Sequence, residues 1–307
     1  MTSAKIKPLE ENLRTVIRGK EGPIRLLLTG LLARGHVLVE DLPGMGKTTL
    51  AKALALSIDC EFRRIQFTPD LLPGDVLGVS IFHPERHAFE FRPGPVFTNV
   101  LLADEINRTN PRTQSCLLEA MNESQATVDG TTRPLPAPFF VIATQNPVER
   151  AGTYPLPDSQ LDRFLLSFEM GYPDREMTKA LLKDQAHGHP LDRTRPALTG
   201  PELLALQGEA RAVALGDAVV EYAIRLAEAS RKHPAVAIGA SPRGALHLTR
   251  AAQAHAFLLG RAHTIPDDVK AVASAVLAHR MILRDRGATG QAREAVEDLL
   301  RETEIPI

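Results

Sequence analysis

The sequence predicts an alternating α/β domain followed by an all-helical one. Short aliphatic runs alternate with helix-forming segments as far as Tyr172-Pro173. One of those runs, in Val37 to Leu50 (VLVEDLPGMGKTTL), opens into a Pro/Gly-rich turn and then a helix-forming stretch. Beyond Pro173 no strong strand pattern recurs and helical periodicity takes over. The expected division is therefore residues 1–173, an α/β core, and residues 174–307, a helical domain.

In chain order, residues 8–18 read as a helix broken at Gly19. Pro23 to Leu32 reads as a second helix, with Ile24, Leu27, Leu28 and Leu31 on one face. His36 to Glu40 is a buried strand, and Thr48 to Ile58 the helix after its loop. Glu61 to Phe67 is a second strand. Val79 to Phe91 reads as a hairpin, with Phe82, Phe89 and Phe91 alternating with polar residues. Thr98 to Ala103 is an apolar run ending in Asp104-Glu105, and Thr113 to Met121 is helical. Gln125 to Leu135 is a second hairpin turning at Asp129-Gly130. Phe139 to Ala143 and Leu165 to Glu169 complete the strands.

In the second half, 183–201 is polar and rich in His, Gly and Pro, hence a loop. Thr199 with Glu202 fits a capping box, and Thr264 with Asp267 is expected to cap the segment near Pro266. Helices are expected over 217–232, 242–259, 271–281 and 291–303.

The loop after the first strand is close to the phosphate-binding pattern G-x-x-x-x-G-K-[ST], except that Asp41 stands at the first glycine. Backbone N–H groups at a helix N-terminus surround phosphate charge, and Gly44 and Gly46 let the backbone approach. Pro43, Gly44, Met45, Gly46, Lys47, Thr48 and Thr49 are the candidate phosphate cradle. Lys47 supplies a point charge and Thr48 a hydroxyl for Mg²⁺. Asp104, at a strand end, is the second candidate metal residue, and Glu105 the candidate general base. Asn146 ends another strand and can orient a water. An arginine that reaches a γ-phosphate neutralises charge built up in transfer, and Arg163 and Arg243 are candidates for that role.

Composition narrows the class. The 307 residues are 44% hydrophobic and 24% charged, with a net charge of −1, so no basic field argues for nucleic acid. Aromatics are 5% and tryptophan is absent, poor material for base stacking. Cys60 and Cys116 stand far apart, fit no metal-ligand spacing and read as buried apolar residues suited to a reducing cytosol. His187 and His189 lack further ligands at metal spacing. The charged N-terminus has no apolar core of a signal peptide, and no stretch suits membrane insertion.

The chain resembles MoxR-type AAA+ ATPases over nearly its whole length. The residues that carry the resemblance are Phe67-Thr-Pro-Asp-Leu-Leu-Pro-Gly, Phe91-Arg-Pro-Gly-Pro-Val-Phe, Ala103-Asp-Glu-Ile-Asn-Arg, Ala143-Thr-Gln-Asn-Pro, Gly152-Thr-Tyr-Pro-Leu-Pro, Leu161-Asp-Arg-Phe and Ala240-Ser-Pro-Arg. It implies a parallel sheet in the order 5-1-4-3-2, flanked by helices and interrupted by two hairpin insertions, then a helical lid. It also accounts for Asp41, since such proteins often carry an acidic residue there. The implied cofactors are ATP and Mg²⁺. Lys47, Thr48 and Asp104 match the phosphate and metal residues, Glu105 the catalytic glutamate, and Asn146 the sensor of the γ-phosphate. Arg163 matches the arginine finger supplied to a neighbouring subunit, and Arg243 the second sensor on the lid. Val16, Ile17 and Gly19, within the segment 16–20, match the stretch packed near adenine. A hexameric ring acting on protein clients is implied, with partners bearing von Willebrand A domains. A nucleotide-gated scaffold would use the same residues with little hydrolysis; the presence of Glu105 and Asn146 favours the enzyme.

Overall fold

The computed structural model describes residues 5–42, 44–146, 152–173, 175–179, 190–285 and 290–306. Pro43, His187 and His189 lie outside them, as does the first part, 183–189, of the predicted loop 183–201.

Helices α1 (Ile6–Val16) and α2 (Glu21–Leu32) precede β1 (Val37–Glu40), and α3 (Lys47–Ser57) follows it. Then come β2 (Phe62–Gln66), α4 (Pro73–Leu77), the hairpin β3 (Gly78–His83) and β4 (Ala88–Pro93), and β5 (Val100–Asp104). Helix α5 (Pro111–Glu123) leads to the hairpin β6 (Gln125–Val128) and β7 (Thr131–Pro134), then β8 (Phe140–Gln145), α6 (Asp158–Leu161) and β9 (Leu166–Phe168). The core strands pair in the order β2-β5-β8-β1-β9, all parallel, which is the expected 5-1-4-3-2 arrangement.

Period-two alternation explains how the sheet is covered on both faces. Val37, Val39, Val100, Leu102, Phe140 and Ile142 belong to a core with α1, α2 and α3. Their neighbours Leu38, Leu101, Ala103, Val141 and Ala143 belong to a separate core under α5. The runs Val37–Val39 in β1, Val100–Ala103 in β5 and Phe140–Ala143 in β8 are therefore apolar without interruption.

Both hairpins form where the aromatic alternation and the Asp129-Gly130 turn predict them. Asp129 and Gly130 both take positive φ, 51° and 73°, as such a two-residue turn requires. Phe82 and Phe89 pair across the first hairpin at 5.2 Å and stay exposed. The Arg133 guanidinium of the second hairpin lies 3.9 Å over the Phe91 ring of the first.

The second half holds α7 (Gly200–Arg211), α8 (Asp217–Lys232), α9 (Pro242–Leu258), α10 (Pro266–Leu277) and α11 (Gln291–Glu302). Thr199 and Glu202 form the predicted capping box. The cap of α10 differs from expectation: Ile265 N–H donates to Asp268 Oδ2 at 2.9 Å, while Asp267 pairs with Lys270. Asp268 rather than Asp267 wins because it also meets His255 and Arg261 inside the bundle. A short antiparallel ribbon, β10 (Val236–Ile238) with β11 (Ile282–Leu283), also departs from the all-helical expectation. Two and three residues are too few to show a strand period.

Cys60 and Cys116 are half-buried rather than buried. Burial still pushes their thiols up, to about 11 and about 12, so both stay protonated at neutral pH.

Candidate active site

The loop between β1 and α3 is built for close approach. Gly44 and Gly46 take φ of +84° and +86°, a region L side chains rarely adopt. Among the described residues nothing lies within 4 Å of a Cβ placed at Gly44, and at Gly46 only Ile17 Cδ1 does, at 3.8 Å. The result is an open cradle at a helix N-terminus with Ile17 at its rim. Lys47 is buried and donates to the Asp41 carbonyl at 2.8 Å. Burial lowers its pKa, while Asp104, Asp41 and Glu105 oppose that shift. The Asp41 carboxylate accepts the N–H groups of Met170 and Gly171, at 2.5 and 3.1 Å. Lys20 donates to the carbonyls of Gly171 and Tyr172. Asp41 thus ties the loop to the chain leaving β9, a structural duty that a glycine there could not perform.

Strand order brings β5 to the loop through β8. Asp104 and Glu105 lie at the C-terminal end of β5, and Asn146 directly follows β8. Thr144 joins them: its buried hydroxyl donates to Asp104 Oδ1 at 2.6 Å and accepts the Glu105 N–H at 2.9 Å. Glu105 sits in the left-handed region, φ 57°, a cost typical of functional turns. From β2, Arg64 reaches Asp104 Oδ2 at 2.7 and 3.1 Å, and Gln66 donates to Glu105 Oε2 at 2.6 Å. Arg108 also meets Glu105 Oε2, at 3.2 Å. The Thr48 hydroxyl and Asp104 carboxylate are hard oxygen donors, and the cradle is open and lined with N–H groups. Both fit Mg²⁺ and a polyphosphate.

The two candidate arginines lie elsewhere. Arg163 donates to the Leu118 carbonyl at 3.0 Å. Arg243 Nη2 donates to Asn122 Oδ1 at 3.4 Å, and its Nε lies 3.9 Å from Asp162 Oδ2. Residues 118–122 end α5 beside His36, whose ring contacts the Met121 carbonyl at 2.9 Å just before β1. Burial lowers the His36 pKa to about 4, so the ring is neutral. Arg163 and Arg243 therefore cluster at the N-terminal edge of the sheet. Lys47 stands at the C-terminal edge, roughly 15 Å along β1.

Comparison with known proteins agrees with this fold. Residues 36–166 match the family model of the ATPase family associated with various cellular activities (AAA), and residues 228–302 match that of the AAA lid domain. Chaperone MoxR1 of Mycobacterium tuberculosis is 40% identical over 293 residues, spanning 92% of this chain and 77% of its own. The chain belongs to the MoxR family of AAA+ ATPases. Protein MoxR of Paracoccus denitrificans is 34% identical over 91% of this chain and 89% of its own. The uncharacterized protein YeaC of Bacillus subtilis is 48% identical over 97% of this chain and 93% of its own. Among solved structures, an ATPase candidate from Cytophaga hutchinsonii is 37% identical with a TM-score of 0.90, covering 100% of this chain and 96% of that one. An MCM homolog from Methanopyrus kandleri, 20% identical with a TM-score of 0.60, covers 91% of this chain and 60% of that one and shares the fold alone.

Within this MoxR-family site, sequence reasoning missed Thr144, Arg64 and Gln66. A threonine buried inside the aliphatic strand FVIATQ was one available signal. Arg64 and Gln66 at i and i+2 of β2 were another, since that spacing puts both on one face.

Proposed function

We propose that this MoxR-family AAA+ protein binds and hydrolyses ATP at the interfaces of a homo-oligomeric ring, hexameric as the family pattern suggests. The observation carrying the proposal is the separation of Arg163 and Arg243 from Lys47. A site with Lys47, Thr48, Asp104 and Glu105 on one edge and both arginines on the other is completed only by a second copy. Asp104 and Thr48 would hold the metal, which would supply charge neutralisation at the phosphates. Lys47 adds a positive charge beside the outer phosphates. Glu105 takes the proton of the attacking water, and Asn146 orients that water. Val16, Ile17 and Gly19 flank the base, with Ile17 beside Gly46. A neighbour's Arg163 and Arg243 face the charge that builds up in transfer.

We further propose that turnover drives chaperone-like remodelling of protein clients in the cytoplasm, with a von Willebrand A domain protein as a candidate partner. The linked hairpins, with exposed Phe82 and Phe89, are the surface we assign to clients. The domain division at residue 173 belongs to the same proposal: a core that holds nucleotide and a lid that responds to it.

The test is steady-state ATPase activity and nucleotide affinity of the wild type and Glu105→Gln. The variant is expected to bind ATP as the wild type does and to lose at least about 10²-fold in kcat. Wild-type turnover in Glu105→Gln would overturn the assignment. A second reading, a nucleotide-gated scaffold, is favoured by one feature: Gln66 and Arg108 both occupy Glu105 Oε2. A near-zero ATPase rate at high protein concentration, with the partner added, would support that reading instead.

A further inference from the structure

The turn that carries Arg163 is held from the lid by the buried guanidinium of Arg280, with the His279 ring 3.2 Å from the Phe164 carbonyl beside it. Arg280, in the 3-10 turn Ala278–Arg280 that follows α10, is almost wholly buried. Its Nε donates to Asp162 Oδ1 at 2.8 Å. Its Nη1 donates to the Leu165 carbonyl at 3.2 Å and to that of Val276, and its Nη2 donates to the carbonyls of Asp162, at 3.3 Å, and Phe164. Asp162, Phe164 and Leu165 bracket Arg163 on both sides. The same Nη2 meets His247 Nδ1 on α9, and Nη1 meets His279 Nε2 at 2.6 Å.

This guanidinium also reaches the other arginine. A Cβ at Gly244, the residue after Arg243, would lie 3.5 Å from Arg280 Cδ. Arg280 therefore fills the space beneath the first turn of α9, the turn that carries Arg243. Asp162 closes the loop, since its Oδ1 takes Arg280 and its Oδ2 faces Arg243 at 3.9 Å. Burial pulls the Arg280 pKa down to about 10, against Asp162, which raises it, so the group stays charged at neutral pH. Burial, with Arg280 beside both rings, pulls His247 to about 3 and His279 well below its ordinary value, so neither competes for Asp162 as a cation.

A buried charge without its partner is costly, which makes this junction an all-or-none contact rather than a sliding one. A rotation of the lid against the core must either carry the 162–165 turn with it or break several charge-assisted hydrogen bonds at once. We infer that Arg280 is the positioning residue for both interface arginines: it locks the Arg163 turn to the lid, so that lid movement in one subunit sets the arginines offered to the next subunit's nucleotide. The inference rests on the proposed trans site.

The experiment mixes subunits before assembly. Arg280→Ala rings are expected to keep nucleotide affinity, measured with a fluorescent ADP analogue, and to lose roughly 10²-fold in kcat. Mixed with Lys47→Ala subunits, whose own arginines are intact, Arg280→Ala subunits should regain turnover, because the neighbour completes their site. An Arg163→Ala and Lys47→Ala mixture is run in parallel. If that pair shows no rescue, the trans reading fails, and this inference with it. If that pair is rescued and the Arg280→Ala mixture is not, the inference alone fails. Wild-type kcat in Arg280→Ala would also overturn it. Should Arg280→Ala lose nucleotide affinity through misfolding, Asp162→Asn takes its place, with the same loss and the same rescue expected. Unchanged kcat in Asp162→Asn would overturn the inference.

Discussion

Thr144 donates its hydroxyl to Asp104 Oδ1 at 2.6 Å while sitting in the strand next to the one that carries Asp104. The Thr144 hydroxyl also accepts the Glu105 N–H. One side chain therefore fixes the orientation of the Asp104 carboxylate and the backbone of Glu105. Thr144→Val keeps the shape and removes both bonds. It is expected to cost about 1–3 kcal/mol of stability, because the buried hydrogen bond to Asp104 Oδ1 and the half-buried one from the Glu105 N–H are both lost. It is also expected to lower kcat with little change in nucleotide affinity. Thermal melts and steady-state kinetics read both; an unchanged kcat would show that Asp104 and Glu105 need no such support.

Arg64 occupies the Asp104 oxygen that Thr144 leaves open. A cation approaching that oxygen competes with the guanidinium. Arg64→Ala should therefore lower the Mg²⁺ concentration needed for half-maximal nucleotide binding. Because Arg64 is half-exposed, the expected shift is small, about two- to fivefold. Mn²⁺ titration followed by EPR in the presence of ADP gives a readout independent of turnover. Weaker metal binding in the variant would mean that Arg64 supports the site instead.

Asp41 stands where the phosphate-loop pattern has glycine, and its carboxylate binds two N–H groups beyond β9. Restoring the pattern with Asp41→Gly is expected to destabilise the fold by about 2–3 kcal/mol, since hydrogen bonds to a charged group are lost. It is not expected to improve nucleotide affinity. A rise in Tm together with tighter binding would contradict the anchoring role. Asp41→Asn should fall between the two.

Asp268 ties the lid together through His255, Arg261 and its own helix cap. Burial pushes its carboxyl up, but these hydrogen bonds outweigh burial and hold it at about 2. The folded value lies below the unfolded one. Its contribution is therefore complete above about pH 4 and is lost as pH falls toward 2. Denaturant unfolding from pH 5 to 2 should show this loss in the wild type. In Asp268→Asn the stability is already lower, by about 3 kcal/mol, and the acid slope is reduced. An equal slope in both proteins would remove Asp268 as its source.

Local chemistry was legible in the sequence. The cradle of Gly44 to Thr48, the carboxylates closing the aliphatic run of β5, both hairpins and the Thr199 cap depend on neighbours a few residues apart. Backbone conformation and hydrogen-bond reach fix those directly. Asp268 as the cap of α10 was not legible, because His255 and Arg261 chose it from outside that turn. The β10 and β11 ribbon was too short to carry a period. Cys60 and Cys116 could not be graded between buried and half-buried from an apolar context alone.

What the sequence by itself determined was the set of parts: a phosphate loop, two carboxylates, an amide at a strand end and two arginines. Tertiary structure decided which of them share a site. In a parallel sheet, neighbouring strands are far apart in the chain, and their order follows from crossover packing rather than from any local pattern. That order placed Thr144 between Asp104 and Glu105, and β2 with Arg64 against Asp104. It also sent Arg163 and Arg243 to the opposite edge from Lys47, because α5 and the lid pack where the strands begin. The arginines meet there around Arg280, with the length of β1 between them and the loop that carries Lys47.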